Sequence, residues 1–463
     1  MSDDGATDDD PTADASTDGA AETTPPGDGT VRGVIADLFA RIDRSDVLVV
    51  ATAMVAVYTL FTIFVLLRLG ISTGTPNAIV SAWRELTFLF AAYAMLALAL
   101  NLHWGYTGLF NIGVAGFMAV GVYTMALLST PADAISGQGL GLPLPIGVLG
   151  GMIAAALVGL VAAVPALRVR ADYFAIVTLG LSEIIRLTLN SRTLSDWTVE
   201  RFGFATGGGS GIDLPARPTD ALFDTAAGQA LIELFVVEIG GEEVTLVAAS
   251  VIRRFTWAFV MIGFMLGFYW LLRRIGYSPF GRVLKSIRED ELVAQSLGKD
   301  TRIFKIKVFM LGCALMGLAG ILWQGSQGFV SPDSFRPIVT FYVFVAVILG
   351  GSGSNTGSVV GALLFVSLLF LARRRVGGIV DARLDLIDAP GTFAASVNPL
   401  LSTFNAEPLL AYAINNISAL QFILLGVVLI LIVQYRPDGV LGHRRETAAA
   451  VDLDRPKRGE TNE

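Results

Sequence analysis

The feature that most constrains this chain is a series of ten apolar segments, each close to the length needed to cross a bilayer. They cover roughly 47–69, 85–102, 108–128, 144–165, 173–190, 255–272, 306–325, 338–350, 357–372 and 416–435. A membrane-spanning helix needs about 20 apolar residues. The pattern therefore predicts an all-α integral membrane fold with about ten transmembrane or re-entrant helices. The segments 338–350 and 357–372 are short, so they are either two tilted spans joined by a tight turn or a re-entrant pair.

Composition supports a membrane protein and limits its chemistry. Apolar residues make up 53% of the chain and charged residues 16%, whereas soluble domains carry about 25% charged residues. One cysteine and two histidines argue against a disulfide framework and against a histidine-based metal centre. The chain contains no GxxxxGK[ST] phosphate loop and no catalytic constellation, so we do not expect an enzyme.

The two ends of the chain are predicted to lie outside the membrane. Residues 1–30 contain nine Asp or Glu and no Lys or Arg, which predicts a disordered acidic tail over 1–46. Residues 443–463 form a polar C-terminal tail. Only five lysines accompany 28 arginines, and the polar parts are acid-rich. These features favour a prokaryotic and salt-adapted source, although GC-rich coding also depletes lysine.

A charged block between two apolar spans, Arg273 to Lys307, contains nine Lys or Arg side chains. The positive-inside rule places it in the cytoplasm. Ser278-Pro279 at its start, regularly spaced apolar residues and Gly298 as a stop predict a short amphipathic helix over 281–298. Such a helix on the inner face of a membrane protein is expected to dock onto a partner.

The same rule suggests an orientation for the transmembrane region, residues 47–442. Both termini and the block at 273–305 then lie in the cytoplasm, and the loops 191–254 and 373–415 lie outside. Arg373 to Arg375 fall on the outer side and count against this scheme.

Polar residues within the apolar segments are candidates for a translocation path. Glu183 and Arg186 are three residues apart, so they share a helix face. Either they pair with each other near the outer helix end, or Glu183 lines the path or anchors a neighbouring helix. Glycines between Asn111 and Gly121 indicate tight packing or a hinged helix, which makes Asn111, Gly116 and Phe117 further path candidates. Aromatic residues that could make the route apolar are Phe110, Phe117, Phe174, Trp323 and Phe341.

Six stretches together resemble a known family, the LivM-type permease subunits of ABC importers for branched-chain amino acids. The resemblance covers roughly 85–212 and 255–442, and six motifs in the same order carry it: LALNLHWGYTGLFNIGVAGFMAVGVYTMALL (98–128), PALRVRADYFAIVTLGLSEIIRLTLN (165–190), SPFGRVLKSIREDELVAQSLGKD (278–300), LAGILWQGSQGFVSPDSF (318–335), VILGGSGSNTGSVVGALL (347–364) and YRPDGVLG (435–442).

The resemblance implies that the charged block contains a coupling helix that binds an ATPase subunit. The docking residues it suggests are Arg282, Arg288, Glu289, Asp290, Glu291 and Gly298. Importer permeases often carry Glu six residues before this glycine. Here Leu292 holds that position and Glu291 lies one residue earlier. A solvated cytoplasmic face is the alternative interpretation of these charges.

The glycine run after the fifth segment resembles the family's short outer glycine segment. This implies contact with a substrate-binding protein at Gly207, Gly208 and Gly211, although a turn is the simpler interpretation. The acidic insertion 213–250 departs from the common family length.

The resemblance thus implies a permease that pairs with a homologous permease, two cytoplasmic ATPases and an extracytoplasmic binding protein in the cell membrane. It implies no cofactor on this chain and no nucleic-acid partner. Branched-chain amino acids are the expected cargo, with urea or short amides as the alternative. An ion-coupled carrier that uses Glu183 and a passive channel are the other possibilities, and neither explains the charged block.

Overall fold

The computed structural model describes residues 46–72, 74–131, 139–166, 171–239, 242–371 and 389–441. The chain divides into two units, Met1–Val49 and Val50–Glu463, and the second contains nearly all described residues. Apart from Asp46, the predicted tail 1–46 lies outside the described residues, as do the tail 443–463 and residues 373–388 of the predicted loop 373–415.

Helices dominate the described parts of the chain. In chain order they are α1 (Asp46–Leu69), α2 (Thr75–Thr107), α3 (Val114–Ser129), α4 (Leu144–Ala166), α5 (Ala171–Leu189), α6 (Arg192–Phe202), α7 (Pro218–Leu222), α8 (Ala226–Glu233), α9 (Ala249–Tyr277), α10 (Pro279–Glu289), α11 (Glu291–Ser296), α12 (Thr301–Gln324), α13 (Pro337–Gly350), α14 (Asn355–Leu364), α15 (Phe393–Thr403), α16 (Glu407–Asn415) and α17 (Ile417–Tyr435). Short 3-10 turns occupy Gly208–Ser210 and Pro332–Phe335, and a π-helical segment, Phe365–Leu371, follows α14.

The apolar helices correspond one to one with the ten predicted segments. Among the described residues, six helices are long and apolar enough to cross a membrane, and the pair α5 and α6, bent by 64°, passes the same test as one unit. The remaining three segments form shorter apolar helices, Val114–Ser129, Asn355–Leu368 and Leu425–Tyr435. The prediction of an all-α membrane fold is therefore confirmed, and the figure of about ten holds only if the bent and short helices are counted.

Helix α2 forms the centre of the core. Its residues from Phe90 to Leu100 are all essentially buried, and α9, α10, α12, α13 and α14 pack against it. By contrast, α4 exposes a row of large apolar side chains, Leu149, Ile153, Leu157 and Val161. Apolar surface of this kind is stable against lipid or against another apolar surface.

Two short strand pairs lie beside the helices. β1 (Ile212–Asp213) pairs antiparallel with β4 (Phe329–Val330), which joins residues far apart in the chain. β2 (Val236–Ile239) and β3 (Glu242–Thr245) form an antiparallel hairpin inside the acidic insertion. The described part of the predicted outer loop 191–254 thus consists largely of short helices, strands and turns.

The bundle has two distinct ends. The α10 end carries the connection from α9 to α12, residues 278–300, and also the turn 351–354 between α13 and α14. The loop end carries residues 203–239 and 242–248, and Ala248 N donates to Asn77 Oδ1 at 3.0 Å near the start of α2. These two ends contain the polar features from which function can be argued.

Candidate functional site

The predicted amphipathic segment is two helices rather than one. Ser278 caps α10 by accepting a hydrogen bond from Gly281 N at 3.2 Å, and Pro279 occupies the first turn, as the sequence predicted. At Asp290 the backbone becomes extended, with φ −155° and ψ 110°. The Asp290 carboxylate then caps α11 through Leu292 N (2.8 Å) and Val293 N (3.1 Å). The prediction of one continuous helix was wrong because this side chain competes with the backbone for the helical N–H groups.

The break at Asp290 separates the apolar residues of the segment into two groups. Leu284 and Ile287 of α10 are buried against the bundle. Leu292, Val293 and Leu297 are 73%, 55% and 71% exposed. These three residues are called the α11 apolar patch below. An exposed cluster of large apolar side chains on a short, capped helix is a surface suited to binding another protein.

The predicted docking residues fall into different environments. Arg282, Glu289, Asp290 and Gly298 are exposed. Gly298 has φ +76°, and a Cβ placed there would meet nothing within 4 Å, so the glycine is required by the backbone of the turn.

Glu291 and Arg288 are instead held by intramolecular contacts. Glu291 accepts from Thr301 Oγ1 at 3.0 Å and from Lys305 Nζ at 2.6 Å, so α11 is tied to the first two turns of α12. Arg288 turns toward the bundle and donates to the carbonyl of Gly105. No observation tests whether these residues contact an ATPase, and that role stays a prediction.

Arg288 belongs to a polar joint that connects α10 to the core. The joint consists of Asn101, Gly105, Arg288, Gly353 and Asn355. Asn101 accepts from Gly353 N at 2.7 Å and donates to Asn355 Oδ1 at 3.1 Å. The joint therefore fixes the end of α10 to α2 and to the turn between α13 and α14.

The C-terminal motif reinforces the same end of the bundle. After α17, Val440 N donates to Leu349 O at 2.9 Å, and Gly439 lies against the backbone of Gly351. The segment 436–441 thus packs on the last residues of α13, which gives the motif YRPDGVLG a structural role.

A second buried polar cluster lies where the chain passes from α2 to α3. Residues 108–113 are not helical, so the apolar segment predicted over 108–128 begins with a non-helical stretch. His103 Nδ1 lies 3.1 Å from Asn111 Nδ2, and His103 Nε2 lies 3.1 Å from the Phe309 carbonyl oxygen. Thr178 and Thr340 accept from Ile112 N and Ala115 N, both at 3.0 Å. These side chains satisfy backbone groups that would otherwise be buried without partners.

The predicted path residues Asn111, Gly116 and Phe117 lie on α3 or just before it, and they pack between helices. Asn111 and Phe117 are buried, and the ring of Phe117 packs edge-on against that of Phe309 at 5.7 Å. A Cβ at Gly116 would lie 2.7 Å from Ser182 Cα, so this glycine allows α3 and α5 to approach. Their assignment to a translocation path stays a prediction.

Glu183 and Arg186 form the ion pair that the sequence allowed. Arg186 donates to the two carboxylate oxygens of Glu183 at 2.9 and 2.6 Å and to Asp333 at 3.1 Å. The network ties α5 to the 3-10 turn Pro332–Phe335. These contacts anchor α5 to a neighbouring element. The sequence had left this role open for Glu183, together with a role in the translocation path.

The glycine run on the loop end is a tight turn. Gly207, Gly208 and Gly211 all have positive φ, and Ser210 N donates to Gly207 O at 3.1 Å. The turn delivers the chain into β1, which pairs with β4. Backbone geometry thus accounts for the glycines, and contact with a binding protein stays a prediction.

Sequence reasoning missed the His103 cluster and the inward direction of Arg288. Asn101, His103 and Asn111 are polar residues within a long apolar run, and intramembrane polar residues are expected to have a specific partner. That signal could have singled them out. Their partners could not be read in this way, because Phe309, Gly353 and Asn355 lie more than 200 residues further along the chain.

A bundle of apolar helices with buried polar joints defines an all-helical membrane protein. The family model described as branched-chain amino acid transport system / permease component matches residues 84–373. The chain is 33% identical over 306 residues to the high-affinity branched-chain amino acid transport system permease protein LivM of Escherichia coli (strain K12), which covers 66% of this chain and 67% of that protein. It is 26% identical over 381 residues to a probable branched-chain amino acid transport permease protein LivM of Methanocaldococcus jannaschii, with coverage of 76% and 91%.

A shorter stretch of 90 residues is 32% identical to the permease protein LivH of Escherichia coli (strain K12), covering 19% of this chain and 29% of that protein. No solved structure gave a significant match. The chain belongs to the family of branched-chain amino acid transport system permease components, and it is a multi-pass membrane protein.

Proposed function

We propose that this protein is a permease subunit of an ATP-driven importer that carries branched-chain amino acids across the cytoplasmic membrane. It pairs with a second, homologous permease, two cytoplasmic ATPase subunits and an extracytoplasmic binding protein. Family membership and the names of the LivM and LivH relatives support this proposal. ATP binds to the ATPase subunits, since the present sequence contains no phosphate loop of the GxxxxGK[ST] type.

The observation that carries the proposal is the α11 apolar patch. Leu292, Val293 and Leu297 are exposed on a short helix that is capped by Asp290 and tied to α12 by the Glu291–Lys305 pair. Nine Lys or Arg side chains in 273–307 favour a cytoplasmic position for this end of the bundle. In this proposal the patch enters a cleft of the ATPase.

The proposed switch uses the polar joint. Closure of the ATPase pair moves α10 and α11, and the Arg288 contact with Gly105 passes that movement to α2. Coupling between distant sites is carried by packed side chains and hydrogen-bond networks that have two discrete arrangements, and this proposal assigns that role to the polar joint. The pathway then alternates between outward and inward access.

The first test changes the α11 apolar patch without disturbing the fold. Leu292→Ser in the reconstituted complex should abolish stimulation of ATP hydrolysis by loaded binding protein and should lower uptake, because the side chain is exposed and its loss affects docking alone. Leu401→Ser is the matched control, since Leu401 is exposed to the same extent (74% against 73%) at a different position, on α15. Both variants should purify with the same yield and melting profile.

Gly298→Trp provides a second variant on the same surface. The φ of +76° makes any side chain there cost about 1 kcal/mol, but the space around it is open. The folded subunit should therefore persist while hydrolysis and uptake become uncoupled. Unchanged uptake in both Leu292→Ser and Gly298→Trp would refute the docking surface.

The energy source and the cargo are tested separately. Uptake should require ATP and should continue in the presence of a protonophore. Leucine, isoleucine and valine should compete with one another for uptake. Uptake that collapses with the protonophore, survives ATP depletion and is lost in Glu183→Gln would instead identify an ion-coupled carrier. Competition by urea or short amides alone would reassign the cargo while leaving the importer in place.

A further inference from the structure

The end of α9 next to α10 carries a cluster of four exposed side chains, Trp270, Arg273, Arg274 and Tyr277. Each of them lies three or four residues from two of the others, so all four share one face of the helix. Trp270 is 61% exposed and Tyr277 is 62% exposed. These four residues are called the α9 terminal cluster below.

The two guanidinium groups of the cluster keep their hydrogen-bond donors. Arg273 lies over the Tyr277 ring, 6.0 Å from its centroid, and Arg274 lies over the Trp270 ring at 5.7 Å. A cation over an aromatic face is attracted by the ring quadrupole, and the in-plane N–H donors of a guanidinium stay available for an anion. Neither arginine forms an ion pair with a carboxylate of the described residues. The cluster therefore presents two positive charges with unused donors.

The position of the cluster along α9 matches the headgroup level of a bilayer. Helix α9 is long and apolar enough to cross a membrane. Between Arg254 and Arg273 it contains 18 residues without a charged side chain. At a rise of about 1.5 Å per residue, these two arginines are about 29 Å apart along the axis, close to the ~30 Å thickness of the hydrocarbon core. Arg273 therefore lies where the hydrocarbon ends.

The helix face that leads to the cluster is apolar and exposed. Phe259 and Leu266 lie on the same face as Trp270, and they are 60% and 57% exposed. Along this face, large apolar side chains are followed by a tryptophan and then by arginines and a tyrosine. A lipid molecule presents its chains, its interface and its headgroup in the same order, and Trp and Tyr are enriched at that interface.

We propose that the α9 terminal cluster binds the headgroup of an anionic phospholipid. Arg273 and Arg274 donate to the phosphate oxygens, while Trp270 lies beside the upper part of the acyl chains. An anionic headgroup is favoured over a zwitterionic one, because the latter brings its own cation to a cluster that already carries two. This inference does not depend on the proposed function.

The lipid site lies at the corner where α9 turns into α10. Ser278 Oγ donates to the Ile275 carbonyl oxygen at 2.6 Å and accepts from Gly281 N at 3.2 Å. A Cβ at Gly281 would overlap the Ile275 carbonyl oxygen, so the two helices meet without room for a side chain. A headgroup held by Arg273 and Arg274 thus fixes the depth at which α10 begins.

Quenching of Trp270 fluorescence by brominated lipids measures which lipid lies beside the cluster. The protein, with the subunits that copurify, is reconstituted in nanodiscs that contain phosphatidylglycerol and phosphatidylcholine with the same acyl chains. Bromine is placed on one of the two lipids at a time, near the headgroup end of the chains. Subtracting the signal of the Trp270→Phe variant isolates this residue from the other tryptophans. Each arginine should favour phosphatidylglycerol by about fivefold, the ratio for one basic residue at an anionic surface.

Variants assign the preference to the cluster. Arg273→Gln and Arg274→Gln should each lower the preference for phosphatidylglycerol about fivefold, and the double variant should abolish it. Arg302→Gln is the matched control, because it removes an exposed arginine at the same end of the bundle, on α12 and outside the cluster. It should leave the preference at Trp270 unchanged. All three arginines are exposed, so the variants should keep the melting profile of the wild type.

Three results would overturn the proposal. Equal quenching by the two brominated lipids in the wild type would show lipid contact without headgroup recognition. A preference that persists in the double variant would show that other residues select the lipid. Absence of quenching by either lipid would show that a protein partner covers this face of α9. None of these results affects ATP-driven uptake, so the importer is tested independently.

Discussion

Helices α3 and α12 approach each other closely, and this contact gives the sharpest quantitative test of the structure. Gly121 of α3 faces Gly317 of α12, and a Cβ at Gly121 would lie 2.6 Å from Gly317 Cα and 2.8 Å from its carbonyl oxygen. Both neighbours are backbone atoms, so no side chain can rotate away. Because ordinary carbon contacts are about 3.5–4.0 Å, Gly121→Ala forces the two helices apart by about 1 Å.

The expected magnitude combines two opposing effects. Overpacking costs about 1–3 kcal/mol, and replacing glycine by alanine within a helix returns about 1 kcal/mol. Gly121→Ala should therefore destabilise the fold by up to about 2 kcal/mol. Gly263→Ala on α9 is the matched control, since a Cβ there meets nothing within 4 Å, and only the helix-propensity gain remains.

Titration with SDS in mixed micelles, followed by circular dichroism, measures this difference as a free energy of unfolding. Gly121→Ala should be less stable than Gly263→Ala by about 1–3 kcal/mol, the overpacking cost alone. Equal unfolding midpoints for the two variants would refute the close approach of α3 and α12.

Two further predictions concern polar contacts. His103→Leu should lower the free energy of unfolding by about 1–3 kcal/mol, because the Asn111 amide loses its ring-nitrogen partner. His103→Gln should retain most of the stability. Equal stability of both variants and the wild type in the SDS titration would contradict this role. Glu291→Lys and Lys305→Glu should each change stability by about 1 kcal/mol or less, since the pair is partly exposed, yet reduce ATP-driven uptake, which the double reversal should restore. A double variant as inactive as the single ones would show that the pair does not position α11.

The local features of the chain could be predicted well from sequence. Helical punctuation at Ser278-Pro279 and at Gly298 correctly bounded the charged segment, because capping depends on a few adjacent residues. The glycines between Asn111 and Gly121 correctly indicated close helix packing. The break at Asp290 was missed, since the same residue types also fit a continuous helix and only the observed caps distinguish the two.

Hydropathy did not reveal which helices form the core. The most apolar 18-residue stretch of α2 is 89% buried and that of α4 only 33%, although α4 is the more apolar helix. Lipid chains are as apolar as a protein interior, so apolar character identifies a membrane helix without saying whether its neighbours are lipid or protein. The central position of α2 is therefore a property of the tertiary structure.

The sequence by itself determined the class of protein, the ten apolar segments and the charged block between the sixth and seventh, because each depends on residues close together in the chain. Only the tertiary structure decided that Arg288 contacts Gly105, that His103 meets Asn111 and Phe309, and that Arg84 and Arg254 line one cavity. These partners come from different helices. Which helix faces meet depends on the packing of the whole bundle, and no local pattern of residues encodes it.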